Sequence, residues 1–104
     1  MSEKQIENQI KKYLDSIGAY WFKHHATRYS KAGVPDIIAL HKGRFIGIEV
    51  KTDTGVLSEL QRRNIVKIAT NGGIGIVARS VEEVKEVMEN DQLISVSKGL
   101  YVLR

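Results

Sequence analysis

Apolar positions along this chain repeat with two alternating periods, and each switch between them marks a new element. From Ser2 to Ile17 the period is helical: Ile6, Ile10, Tyr13, Leu14 and Ile17 share one stripe at about 100° per residue. Ser2 with Gln5 makes a capping-box signature, and Gly18 supplies the stop. Ala19-Tyr20-Trp21-Phe22-Lys23 is rich in aromatics and predicts a first strand. The polar stretch from His24 to Gly33 predicts a loop. Ile37-Ile38-Ala39-Leu40 and Arg44-Phe45-Ile46-Gly47-Ile48 then flank the turn signal Lys42-Gly43, the pattern of a β-hairpin.

A second helix is predicted from Ser58 to Asn71, opened by a Ser58–Gln61 capping box and closed by Gly72-Gly73. Its inward side is expected to carry Leu57, Leu60, Asn64 and Ile68, with Gln61 among them. Ile74-Gly75-Ile76-Val77-Ala78 is continuously apolar and predicts a strand buried on both faces. Ser80 and Glu83 open a third helix carrying Val81, Val84, Val87 and Met88. Leu93 to Val96 and Leu100 to Leu103 flank Ser97-Lys98-Gly99 and predict a short hairpin within 92–104. The order α-β-β-β-α-β-α plus a C-terminal hairpin defines an α/β class, a mixed sheet with helices on its faces.

At 104 residues one domain spanning 1–104 is expected, with enough chain for a modest core. The absence of cysteine excludes disulfides, thiolate metal ligands and a cysteine nucleophile. No apolar run approaches the roughly 20 residues of a membrane span, and the polar start is unlike a signal peptide. An intracellular, cytoplasmic protein with no membrane partner is expected. Sixteen Lys and Arg oppose twelve Asp and Glu, a net charge of +4 that leans only mildly towards a polyanionic partner.

The hairpin changes the picture. With a two-residue loop, His41 pairs with Arg44, and counting back five steps sets Asp36 opposite Glu49. Their Cβ atoms would then lie roughly 4.5–5.5 Å apart on one face, where like charges repel unless something positive intervenes. Alternation turns Lys51 to the same face and Val50 away. Two carboxylates and an ammonium at one point suit a hard divalent cation and a reactive water. A three-residue loop would offset the pair by one. Pro35-Asp36 also suits a plain strand entry, and Glu49-Val50-Lys51 a solvated strand end. Spacing alone does not choose.

A helix bearing an acid, then Gly33-Val34-Pro35-Asp36, then Glu49-Val50-Lys51, then Ser58-Glu59-Leu60-Gln61 resembles the VRR-NUC branch of the PD-(D/E)xK nucleases. The likeness runs from Glu7 to about Ala78, and Gly33, Gly55, Ser58 and Gln61 make it more specific than the loose superfamily signature. It implies a restriction-endonuclease-like fold and metal-dependent hydrolysis of DNA phosphodiesters. By that likeness Asp36 and Glu49 bind Mg²⁺ or Mn²⁺ with the Val50 carbonyl, and Glu7 helps hold the ion directly or through water. Lys51 orients the attacking water, and Gln61 supports Lys51 or the scissile phosphate. It further implies a homodimer acting on branched DNA such as four-way junctions.

Each residue also carries a plainer reading. Glu7 lies about 20° from Leu14 on the helical wheel, at the edge of the apolar stripe. Gln61 serves as a cap. Lys23, His24, His25, Arg28, Tyr29 and Lys31 form a basic stretch with an aromatic just before Asp36, suited to DNA backbone contact or to a solvated connection. His24-His25 lacks partners at zinc-ligand spacing. Arg62, Arg63 and Lys67 read as a solvated face. The rival functions are a sequence-specific or nicking nuclease, and a non-catalytic DNA-binding module. Such a module typically loses an acid or the lysine, whereas all three are present here.

Overall fold

The structure is a computed structural model describing residues 1–90 and the strand residues 95–97 and 100–102. Helix α1 (Glu3–Ser16) begins where expected: Ser2 Oγ accepts from Gln5 N, and the Gln5 side chain returns the bond to Ser2 N at 2.8 Å. Strands β1 (Tyr20–Lys23), β2 (Ile37–His41) and β3 (Arg44–Val50) form an antiparallel meander. Helix α2 (Glu59–Thr70) crosses back, so β4 (Ile74–Ala78) lies parallel to β3 at the sheet edge. Helix α3 (Val81–Glu89) follows.

The four-stranded mixed sheet, order β1-β2-β3-β4, is therefore the predicted αβββαβα architecture. Strands β5 (Ser95–Ser97) and β6 (Leu100–Val102) pair antiparallel, while the turn and ends of the predicted hairpin lie outside the described residues.

The loop between β2 and β3 is the two-residue one. Lys42 and Gly43 both take positive φ, 50° and 79°, the backbone of a type I′ turn that matches strand twist. His41 faces Arg44, and the ladder continues to Ile37 and Ile48. The next two residues, Asp36 and Glu49, leave the ladder at the point where β2 and β3 part.

The core lies between one sheet face and the helices α1 and α3. Ile6, Ile10 and Leu14 meet Ile37, Ala39, Ile46, Ile48, Val50, Ile76, Val81, Val84 and Val87 there. Helix α2 covers the other face, over β3 and β4. Its buried residues are Ile65 and Ala69, whereas Leu60 is 48% exposed. The inward stripe is thus rotated from the one expected, and the cause is a pair of glycines. Gly47 and Gly75 sit side by side in the β3–β4 register. A Cβ on Gly75 would come within 2.5 Å of Ile65 O, and one on Gly47 within 2.5 Å of Ile68 Cδ1. The helix rests on bare backbone, and Ile65 rather than Leu60 becomes its point of contact.

Candidate active site

The site forms where β2 and β3 diverge, because strand separation leaves backbone groups for side chains to satisfy. Asp36 Oδ2 accepts from Val50 N at 2.8 Å, replacing the ladder bond that the departing β2 no longer offers. Asp36 O in turn accepts from His24 N at 2.8 Å, tying the loop after β1 to the same point. On the other edge of β3, Lys51 N donates to Ala78 O at 3.0 Å, so β4 fixes the start of the segment beyond Val50.

Glu49 is 3% exposed, yet it belongs to a carboxylate with incomplete compensation. Its Oε2 accepts from Gln61 Nε2 at 3.1 Å and lies 3.9 Å from Lys51 Nζ. Its Oε1 is buried and has no hydrogen-bond partner among the described residues. Burial first, and the Asp36 carboxylate second, push its pKa up to about 8. Gln61 performs both of the jobs considered for it. Its backbone N and Oε1 complete the Ser58 capping box, and its Nε2 is left free to reach Glu49.

Glu7 is buried as well, 7% exposed, but in different company. Lys23 Nζ donates to its Oε1 at 2.7 Å, and Lys11 Nζ lies 2.9 Å from its Oε2. Burial pushes the Glu7 carboxyl up, but the bonds from Lys23 and then Lys11 outweigh it, and the net pKa is lowered. Lys23 also lies 3.7 Å from Asp36 Oδ1. Burial pulls Lys23 down, while Glu7 and Asp36 outweigh it, and its pKa rises. Among the described residues no three acid or imidazole side chains converge closely enough to hold a metal ion unaided.

Asp36, Glu49, Lys51 and Gln61 are therefore brought together, with Val50 between Glu49 and Lys51. Glu7 is linked to Asp36 through the ammonium of Lys23. Of the basic stretch, His24 is half-buried, and His25, Arg28, Tyr29 and Lys31 project to solvent. Arg28 lies over the Tyr29 ring at 4.9 Å and donates to its hydroxyl at 2.7 Å.

Arg79 is the residue that pattern reading missed. It follows β4, and its Nη1 donates to the carbonyls of Thr52, Asp53 and Gly55, the last at 2.9 Å. One guanidinium thus gathers the loop that leads from Lys51 to the cap of α2. Its position next to β4 and one step before a helix cap was visible, but nothing in its spacing linked it to residues 52–55. Gly33 holds the opposite wall: at φ +81° it packs so close to α2 that a Cβ would lie 2.6 Å from Leu60 O. Only glycine fits both the turn and the contact.

The mixed sheet thus brings paired acids, a lysine and an amide to the point where its strands diverge. The VRR-NUC domain family model matches residues 1–82, and the chain belongs to the VRR-NUC family. A solved VRR-NUC domain structure superposes with a TM-score of 0.71 at 20% identity, covering 85% of this chain and 95% of that one. No curated protein matches the chain. Membership makes this a nuclease-type domain with DNA as its substrate, in a family that depends in general on divalent metals. No helix among the described residues is long and apolar enough to cross a membrane.

Proposed function

We propose that this chain is a divalent-metal-dependent endonuclease selective for branched DNA, four-way junctions among them, and that it works as a homodimer. The observation that carries the metal reading is Glu49: a buried carboxylate with one unpartnered oxygen, beside a second acid that raises its proton affinity. A proton relieves that repulsion, and a cation would relieve it better. The Asp36 and Glu49 carboxylates and the Val50 carbonyl are oxygen donors, which suit Mg²⁺ or Mn²⁺ with several retained waters.

Asp36 and Glu49 would hold the ion with the Val50 carbonyl, which leaves the strand on the same edge as the Val50 amide bonded to Asp36. Bound there, the ion supplies an acidified water and neutralises charge on the scissile phosphate. Lys51, 3.9 Å from Glu49, places its ammonium beside that water and the developing phosphate charge. Gln61 fixes the orientation of Glu49 through its amide. Glu7 acts at one remove, through Lys23. His24, His25, Arg28, Tyr29 and Lys31 meet the DNA backbone.

The dimer reading rests on the exposed half of the sheet. Tyr20, Phe22, Leu40 and Phe45 are exposed, and Tyr20–Leu40–Phe45 runs in one row across three strands. Asp36, Ile38 and Leu40 alternate onto one face, so a second copy seated on that row would set two sites at a fixed separation. Two sites so held suit a substrate with two strands to nick.

Labelled linear, flap and four-way DNA, incubated with Mg²⁺ or EDTA, tests the reading. Wild type cuts the four-way substrate fastest and only with Mg²⁺. Asp36→Asn, which keeps an acceptor for Val50 N, loses cleavage while retaining DNA binding, because the basic loop supplies affinity. Intact DNA in every Mg²⁺ or Mn²⁺ reaction of the wild type overturns the proposal.

A further inference from the structure

We infer that Lys23 is a built-in counter-ion seated between Glu7 and Asp36, and that it gives up this seat when a divalent cation binds the acids. The inference rests on the metal-binding reading of Asp36 and Glu49.

Lys23 sits at the end of β1, where strand alternation places it on the side of Trp21, facing α1. Arg28 and Lys31 are exposed cations; Lys23 is not. Its side chain is only 24% exposed, and its Nζ is 2.7 Å from Glu7 Oε1 and 3.7 Å from Asp36 Oδ1. An ammonium is costly to bury unless carboxylates receive it. Here two carboxylates on different elements do so, and the ammonium is what joins them.

Geometry explains why it must leave. Asp36 Oδ2 is taken by Val50 N, so a cation on Asp36 would use Oδ1, the oxygen that Lys23 Nζ faces at 3.7 Å. Two positive charges that close repel in a half-buried volume. Lys51 follows directly on β3, its backbone N bonded to Ala78 O. Lys11 is one helical turn from Glu7 and makes an i,i+4 pair that needs no third partner. Among the described residues Lys23 alone bridges Glu7 and Asp36, on a four-carbon stem already partly open to solvent. When it swings out, Glu7 keeps Lys11 and is not stranded. The released ammonium emerges beside His24, at the root of the loop that faces DNA. Cation binding thereby supplies a phosphate contact that the cation-free protein keeps folded away.

The test follows free Mn²⁺ by electron paramagnetic resonance in wild type, Lys23→Met, Lys4→Met and Asp36→Asn, with circular dichroism to verify folding. Lys4 is the control for plain charge, since its Nζ lies 3.9 Å from Glu7 Oε2 at a side chain 74% exposed. Lys23→Met binds Mn²⁺ about tenfold more tightly than wild type, the scale expected for removing one nearby unit charge that occupies the seat. Lys4→Met stays within about twofold, as solvent screens an exposed charge. Asp36→Asn abolishes the binding. Equal affinities for Lys23→Met and Lys4→Met, or full binding by Asp36→Asn, overturn the inference.

A second measurement needs no variant. In wild type, the side-chain ammonium resonance of Lys23 shifts and exchanges faster with water as Mg²⁺ is added. A resonance unmoved at saturating Mg²⁺ overturns the inference even if the protein cuts DNA. Conversely, a protein that shows the exchange but cuts nothing loses the nuclease reading and keeps this one.

Discussion

Glu7 and Glu49 are both nearly sealed from solvent, and their surroundings drive them in opposite directions. On the α1–β1 side, Lys11 and Lys23 hold Glu7 in its charged form. On the β3–α2 side, burial first and the Asp36 carboxylate second drive the Glu49 pKa up to about 8, and the neutral amide of Gln61 brings no opposing charge. Burial raises both; at Glu7 two ammoniums outweigh it, and at Glu49 a second carboxylate adds to it. One side is an ion-pair network of Glu7 with Lys11 and Lys23, and the other holds a buried carboxylate with one ammonium at 3.9 Å.

The sharpest way to break this contrast is to neutralise each acid in turn. Glu49→Gln lowers the cleavage rate by about a thousandfold, the loss expected when an electrostatic catalytic element is removed. Glu7→Gln costs roughly tenfold, because it only loosens Lys23. Single-turnover rates on a four-way substrate check both, and equal losses would erase the distinction. A backbone change can also strike one side alone. Gly75→Ala drives a methyl into Ile65 O and destabilises the fold by about 1–3 kcal/mol in urea titrations. It lifts α2 and frees Gln61 from Glu49, leaving the Glu7–Lys23 bond untouched.

Arg79→Lys is milder. A lysine cannot gather three carbonyls at once, so the rate falls by about tenfold from misplacement of Lys51 and Gln61, with DNA affinity unchanged. Partial recovery with added guanidinium distinguishes lost positioning from lost folding. Stability also changes with pH in the metal-free protein. Folded Glu49 keeps its proton up to about pH 8, whereas the unfolded chain loses it near 4.5. Its contribution is therefore full below pH 4.5 and disappears as pH rises to 8. Glu7 is lowered, so its contribution is constant over that interval. The melting temperature declines from pH 5 to pH 8, and Glu49→Gln flattens the slope.

Much of this was legible in the residues. Both capping boxes, the two-residue turn and every described element follow from local chemistry that neighbours in sequence settle among themselves. The adjacency of Asp36 and Glu49 followed from counting across one hairpin. What escaped pattern reading depends on distant segments. Lys23 looks like part of a basic run until α1 supplies Glu7 as its partner. The rotation of α2 towards Ile65 depends on Gly47 and Gly75 becoming neighbours, which only the β3–β4 pairing reveals. Arg79 and residues 52–55 are far apart along the chain, and no periodicity connects them.

That glycine pair also sets a tolerance. Because α2 stands on Gly75 main chain to main chain at Ile65, the spacing between Gln61 and Glu49 is gauged there by peptide thickness, with the Ile68 side chain resting on Gly47. Repacking the interior on the α1–α3 side can alter how firmly the domain holds together, yet it leaves that gauge unchanged.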